Sequence, residues 1–328
     1  MAWEGLACQA APELLDCRQE RRIDFPMRGK AGIRPDLGVG EALGGAARGI
    51  LQEARDALDD RARPDAAAVH EYRKDMKRWR ALLRLITPFL GPEGDGLQRQ
   101  ARDLARELAP ARDAQAALDA LADLGKAEPG LPAAMTGALR RRIEKMRASE
   151  TTALGENMRE KLGTALAGAE LAAEHWPLDG LGFAELAAAL AAGYRRARKA
   201  VPPDFSAASA EELHELRKRV IVHRYQMELF APLWPRMTKA WIAEAQRLRE
   251  RLGSQHDLGV LDSLTAAGRP LSRWRARLKP AIAARQAAHV AAAAKIAGRL
   301  FAEKPKTFGK RHVALFSGNQ KSVISNQA

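Results

Sequence analysis

The sequence predicts an all-α protein. Long tracts rich in alanine, leucine, arginine and glutamate contain few β-branched runs, so helix propensity dominates along the chain. Apolar residues recur three or four positions apart through most of the 328 residues, which is the spacing of helices with one buried face. With 46% hydrophobic residues, the chain has enough apolar side chains for a sizeable core.

Glycine and proline breaks divide this pattern into two sets of four predicted helices, because neither residue is well tolerated inside a helix. The first set covers about 36–63, 65–89, 97–124 and 131–171. The second set covers about 183–200, 210–233, 236–266 and 271–303. We expect Pro110 to kink or interrupt the third helix.

The helical pattern also sets the expected domain boundaries. Residues 1–27 lack periodicity and are expected to form a poorly ordered N-terminal extension. The helical domain is expected to span 28–303, with one half at about 36–175 and the other at about 181–303. Residues 304–328 lose the periodicity and turn polar, which predicts a C-terminal tail.

The second set of helices repeats the first. A shift of 144 residues, without gaps, places 70–113 on 214–257, and about a quarter of these 44 positions are identical. The identical pairs include His70 and His214, Arg73 and Arg217, Lys74 and Lys218, Arg80 and Arg224, and Asp113 and Asp257. Two homologous four-helix halves are the simplest explanation of this register.

One face of the second predicted helix, and of its repeat, carries basic residues at helical spacing. In the first copy this face consists of His70, Arg73, Lys74, Lys77, Arg80 and Arg84. In the second copy it consists of His214, Arg217, Lys218 and Arg224. Solvated helices often carry such stripes, but like charges one turn apart repel each other and destabilise a helix. Because this destabilising arrangement occurs at the same position in both copies, we infer that it serves a function. We infer that both helices hold a polyanion.

The overall charge also indicates an anionic partner. Lys and Arg number 54 against 40 Asp and Glu, which gives a formal charge of +14 and a pI near 10.2. Charge alone leaves nucleic acid, anionic lipid and polyphosphate open.

The absence of any run of about 18 apolar residues predicts no membrane-spanning segment, and membrane binding is not expected. Only two cysteines are present, Cys8 and Cys17, which favours a cytoplasmic location.

The sequence predicts no catalytic site, no cofactor and no metal. His-Glu begins both basic motifs, but Lys74 or Lys218 stands four residues later, where a zinc site would need a second ligand. The chain has no P-loop, and its seven histidines form no recognisable arrangement of nucleophile and base. We expect a binding module rather than an enzyme.

The basic helices and a second pair of motifs resemble the CHAD family, the conserved histidine α-helical domain. Its hallmark is a duplicated His-x-x-Arg-(Lys/Arg)-x-x-(Lys/Arg)-x-x-Arg helix, matched here by His70–Arg80 and His214–Arg224. A Leu-Gly-x-x-(Arg/Asn/His)-Asp motif of the family is matched by Leu252–Asp257 and more loosely by Leu108–Asp113. The resemblance covers about 28–303.

The resemblance implies two pseudo-twofold-related four-helix bundles that form one compact domain with a central basic groove for inorganic polyphosphate. It also implies a bacterial protein located at polyphosphate granules in the cytoplasm. A separate CYTH-type or polyphosphate-metabolising enzyme is an expected partner. The expected ligand-binding residues are those of the two basic faces, extended by Arg195, Arg198 and Lys199. Asp113 and Asp257 are expected to orient arginines or to anchor the helices.

Departures from the family pattern and a rival ligand complete the prediction. Ile221 replaces a basic residue and predicts fewer ligand contacts in the second half, and Ala109-Pro110 replaces the usual Gly-x of the third-helix motif.

Nucleic acid is the main alternative ligand, because the same charge would attract DNA or RNA. It is disfavoured because Trp79, Trp234 and Trp241 fall in helical patterns suited to packing rather than to base stacking.

Overall fold

The computed structural model describes residues 32–107, 112–127, 130–149 and 154–325. Within these ranges every regular element is a helix, which confirms the all-α prediction. None of these helices is both long enough and apolar enough to cross a membrane. The predicted N-terminal extension, 1–27, and the predicted kink at Pro110 lie outside the described residues.

Eleven α-helices follow one another along the described chain, together with short 3-10 turns at Ala231–Leu233 and Ser272–Trp274. They are α1 (Val39–Asp59), α2 (Asp65–Leu90), α3 (Pro92–Glu107), α4 (Arg112–Ala127), α5 (Ala133–Ser149), α6 (Glu156–Glu174), α7 (Phe183–Lys199), α8 (Ala210–Leu229), α9 (Pro235–Leu264), α10 (Arg275–Leu300) and α11 (Pro305–Ser325). The predicted third helix therefore corresponds to α3 and α4. The predicted fourth corresponds to α5 and α6, and α6 begins directly after Gly155.

The segment predicted to be a polar tail, 304–328, instead contains α11. Phe308 is fully buried and stacks on Tyr194 of α7, with ring centroids 4.2 Å apart. Two helical turns later, Phe316 stacks on Phe183 at 4.0 Å. α11 thus packs on α7 as α6 packs on α1, so the repeat extends almost to the end of the chain.

One hydrophobic core is built from both halves of the sequence. It is enclosed by α4 and α5 of the first half and by α9 and α10 of the second. Each helix contributes fully buried aliphatic side chains, such as Leu124, Ile143, Leu261 and Ile282. The two halves therefore share a core, and each would expose part of it to water if they were separated.

A polar contact between α4 and α10 joins the two halves beside this core. The Asp123 carboxylate accepts hydrogen bonds from Arg285 Nε at 2.8 Å and from a terminal guanidinium nitrogen at 2.6 Å. It also lies 2.8 Å from Nε2 of the buried His289. Burial alone would raise the pKa of Asp123, but the hydrogen bonds from Arg285 and His289 outweigh it and lower the pKa to about 2.

The depressed pKa of Asp123 predicts a defined pH dependence. Since the pKa falls from 3.8 to about 2 on folding, the ionised carboxylate contributes stability above about pH 4 and loses it as the pH falls towards 2. We expect Asp123→Asn to lower the free energy of unfolding by about 1–2 kcal/mol at pH 7 and by less at pH 3. Urea titrations at both pH values measure this difference, with exposed Asp119→Asn on the same helix as the control. An equal loss at both pH values would contradict the assignment.

Candidate anion-binding site

The predicted basic faces lie on two central helices, α2 and α8, which pack against each other. α8 begins with a capping box. Its Ser209 hydroxyl accepts a hydrogen bond from the Glu212 N–H at 3.2 Å, and the Glu212 carboxylate accepts one from the Ser209 N–H at 2.8 Å. Nearer the end of α8, the Gln226 side-chain amide donates to the Ala81 carbonyl of α2 at 3.1 Å, which fixes the two helices side by side.

The two helices run in opposite directions. Arg84, in the last turns of α2, lies close to Arg219 in the first half of α8. Conversely, Glu228, in the last turn of α8, lies close to Arg78 in α2. The helices therefore have two meeting places, one on each side of the midpoint of their contact. The 144-residue repeat relates the residues of one place to those of the other.

At the first meeting place four arginines converge: Arg80 and Arg84 from α2, Arg196 from α7 and Arg219 from α8, here called the arginine pocket. Burial lowers the pKa of Arg84, and the positive charges of Arg80 and Arg219 lower it further. Arg196 is more exposed to solvent, but partial burial and the positive charges of Arg219 and Arg195 lower its pKa as well. Such a like-charge cluster is relieved when a polyvalent anion lies among the guanidinium groups.

The arginine pocket continues towards α3. A cavity of about 210 Å³ is lined by Arg80, Arg84, Asp95, Gln98, Arg99 and Arg102. On α2, Arg73 and Lys77 precede Arg80 and Arg84 on the same helical face, so this basic row extends over about 16 Å. A linear anion that followed the row would meet several cations before it reached the cavity.

The Glu215 carboxylate orients two neighbouring cations of α8. It lies 2.6 Å from Lys218 Nζ and 2.6 Å from Arg219 Nε. The hydrogen bond from Lys218, together with that from Arg219, lowers the pKa of Glu215 despite the opposing effect of burial. Glu215 therefore stays ionised, is a poor proton acceptor and fixes the position of Arg219 at the pocket.

The remaining motif residues of the second copy form a cluster around His214. The His214 ring lies 5.5 Å from that of His256, centroid to centroid, and His256 Nδ1 is 3.2 Å from an Asp257 carboxylate oxygen. Burial and the neighbouring positive charges lower the pKa of His214, so its ring is neutral at pH 7. Arg217 is buried against Gly253, where a Cβ atom would come within 3.2 Å of the guanidinium group. The glycine of the Leu-Gly motif thus leaves room for Arg217.

At the second meeting place of α2 and α8, cations are paired with carboxylates. Arg78 contacts Glu53 of α1 and lies 2.9 Å from Asp75, and Arg224 lies 2.8 Å from Glu228. The ion-pair cluster, as we call it, consists of Glu53, Lys74, Asp75, Arg78, Arg224 and Glu228. Burial raises the pKa of Asp75 to about 6 and also raises that of Glu228.

Among the residues that the structure describes, no group of three histidine, cysteine or carboxylate side chains is arranged to hold a metal ion.

Several residues that the sequence predicts to bind the anion have other partners in the structure, including Lys218, which pairs with Glu215. Lys74 pairs with Glu71, one turn earlier on α2, and Arg224 is held in the ion-pair cluster. Arg198 donates from Nε to the Phe301 carbonyl at 2.9 Å and so satisfies a free backbone oxygen at the end of α10. These cations are compensated within the protein, which makes them weaker candidates for ligand contacts.

The other predicted site residues differ in exposure. Exposed are His70, Lys77, Asp113, Arg195, Lys199 and Lys218, and half-buried are Arg73, Arg80, Arg84, His214 and Asp257. The sequence prediction missed Arg196 and Arg219, because it considered the face of each helix separately, whereas the pocket lies between helices. Their only sequence signal was that each lies next to a residue already selected, Arg195 and Lys218 respectively.

Comparisons with known proteins identify the family. The sequence pattern of the CHAD domain matches residues 42–266. The crystal structure of the CHAD domain from the plant Ricinus communis is similar to this chain with a TM-score of 0.51 and 21% sequence identity. The match covers 81% of this chain and 90% of the plant chain, and at that identity it concerns the fold. No curated protein matches the chain significantly. By the extent of the sequence match, this chain belongs to the CHAD domain family.

Proposed function

We propose that the protein binds inorganic polyphosphate, and the arginine pocket is the observation that carries this proposal. Four arginines from three helices converge there, and burial together with the neighbouring positive charges lowers the pKa values of Arg84 and Arg196. Guanidinium groups bind phosphate oxygens through paired, charge-assisted hydrogen bonds. A chain of phosphates would neutralise several of these arginines at once.

The shape of the site favours a linear polyphosphate over duplex DNA. Arg84 is half-buried at the meeting of α2, α7 and α8, so its guanidinium group is recessed relative to the helix surfaces. Phosphates of a duplex project from a wide rod and reach recessed groups poorly, whereas a thin, flexible phosphate chain enters a cavity of about 210 Å³. Trp79 stacks on Trp176 in the interior, as predicted, but Trp234 is 47% exposed, contrary to the packing prediction.

The binding site is proposed to be non-catalytic. The Glu215 carboxylate, which contacts Arg219 of the pocket, is engaged by Lys218 as well, and its lowered pKa makes it a weak base for activating water. In this proposal the protein acts at cytoplasmic polyphosphate granules as a binding or accessory protein for a separate CYTH-type or polyphosphate-metabolising enzyme. Release of phosphate from polyphosphate by the purified protein would contradict it.

The test is a titration of the protein with long-chain polyphosphate, tripolyphosphate and duplex DNA at one ionic strength. We expect polyphosphate to bind at least about 10-fold more tightly than DNA, compared per charge, and the affinity for both to fall as salt rises. Calorimetry or fluorescence anisotropy gives the affinities. Equal affinity per charge for the two polymers would show a general polyanion binder, and tighter binding of DNA would favour a nucleic-acid function.

A further inference from the structure

The two meeting places of α2 and α8 occupy equivalent positions in the repeat but contain different charges. The 144-residue shift places Arg224 on Arg80, so each place has one arginine in common. The same shift places Glu228 on the position of Arg84. Asp75 likewise takes the position of Arg219. Two of the arginines that form the first place are therefore carboxylates in the second.

This exchange changes the charge balance of the second place. The arginine pocket sets four guanidinium groups against the Glu215 carboxylate. The ion-pair cluster contains three cations, Lys74, Arg78 and Arg224, and three carboxylates, Glu53, Asp75 and Glu228, and Lys74 also pairs with Glu71 beside it. The carboxylates of the cluster thus equal its cations in number, whereas Arg84, Arg196 and Arg219 of the arginine pocket have the single Glu215 carboxylate among them.

Three side chains of the second place are also buried. The side chains of Asp75 and Arg78 are each 3% exposed, and that of Glu228 is 5% exposed. The Glu228 carboxylate lies 2.8 Å from Arg224, and the positive charge of Arg78 also acts on it. A carboxylate thus sits among the guanidinium groups where a bound anion would otherwise lie.

We propose that the Glu228 carboxylate acts as a built-in substitute for a phosphate group, so that only one of the two repeat-equivalent places binds phosphate. The proposal rests on the proposed function for the occupied place, the arginine pocket. It makes Glu228 a specificity-determining residue, and it predicts one phosphate-binding pocket in a protein whose sequence repeat suggests two. The Glu228 side chain blocks the second place by its negative charge and by its volume.

The test removes the Glu228 carboxylate by substitution and measures whether phosphate then binds at the second place. Arg84→Ala is the parent variant, because it weakens the arginine pocket, and Arg84→Ala/Glu228→Ala is compared with it. Truncation of Glu228 leaves space beside Arg224 and Arg78. We expect inorganic phosphate or tripolyphosphate to raise the Tm of the double variant, and calorimetry to show binding at least about 10-fold tighter than in the parent. Potassium chloride at the same ionic strength is the control for screening.

Each outcome decides the proposal. A folded double variant that responds to phosphate no more than the parent would overturn it, and so would two equal tripolyphosphate sites in the unmodified protein. If the double variant is unfolded without phosphate and folds when phosphate is added, the substitute role is supported. If it does not fold at all, Arg84→Ala/Glu228→Ser is measured against the same criterion, because the smaller serine side chain also removes the carboxylate but its hydroxyl can still accept a hydrogen bond from Arg224. If the double variant binds phosphate but the unmodified protein does not, the proposed function is refuted and the role proposed for Glu228 is not.

Discussion

Replacing both Arg84 and Arg219 with alanine is expected to weaken tripolyphosphate and polyphosphate binding by about 100-fold. A hydrogen bond to a charged group contributes about 1.5–3 kcal/mol, and about 1.4 kcal/mol corresponds to a tenfold change in affinity. Each arginine should therefore account for about a tenfold loss or more. Burial lowers the pKa of Arg84, and the positive charges of Arg80 and Arg219 lower it further, so the charged Arg84 side chain is unfavourable in the free protein. The free energy of unfolding should consequently stay the same or rise, which urea titration measures alongside calorimetry.

A matched control removes the same net charge elsewhere. Arg61 and Arg299 have side chains that are 59% and 74% exposed, and each is paired with a surface carboxylate. Arg61→Ala/Arg299→Ala should leave the affinity within about threefold of the unmodified protein, since exposed charges are screened by salt. Equal losses in the two double variants would show that binding depends on overall charge and would remove the argument for a defined pocket.

The largest effect on stability is expected from Arg78→Leu. The Arg78 side chain is 3% exposed and contacts Asp75, which is equally buried, as well as Glu53. Leucine fills similar space but leaves a buried carboxylate without its main partner, which costs about 3–5 kcal/mol. The loss should be smaller at pH 5 than at pH 8. The pKa of Asp75 is already raised to about 6 in the folded protein, so at pH 5 the carboxyl group is protonated and needs less compensation.

Urea titrations at the two pH values check this prediction, and Arg61→Leu serves as the control. Arg61 makes a two-pronged contact with Glu156, at 2.7 and 2.8 Å, but both groups are exposed to water. Its replacement should leave the free energy of unfolding nearly unchanged at either pH. A loss for Arg78→Leu that does not depend on pH would indicate that packing, rather than the buried charge, sets the stability of this region.

Sequence periodicity predicted the helices well where the chain marks their ends. α2 follows Pro64 and ends before Gly91, and α7 follows Gly182, so these limits were recognisable. α11 was missed because Phe308 is followed by four residues that are not aliphatic, 309–312, and the next apolar residues, 313–316, are consecutive rather than three or four positions apart. Periodicity also identifies a buried face without identifying its partner. It therefore gave no sign that α4 and α5 share a core with α9 and α10.

The candidate site was predictable to the extent that it follows one helix. Arg80 and Arg84 lie on the predicted face of α2 and reach the arginine pocket. Arg196 and Arg219 were not selected, because their proximity results from the packing of α7 and α8 against α2. Lys74 and Arg224 fitted the same pattern but lie beside carboxylates, and a list of basic residues on a face does not consider the acids on neighbouring helices.

The core shared by α4, α5, α9 and α10 bears on how such a duplicated chain diverges. A single repeat would bury the same apolar surface only by pairing with a second copy of itself. In a symmetric homodimer every substitution occurs twice, once in each subunit. An arginine-to-glutamate change in the dimer would therefore remove both anion sites at once. Covalent fusion of the two copies ends that constraint, and Arg84 and Glu228 show the outcome: one ancestral position now carries opposite charges within a single molecule.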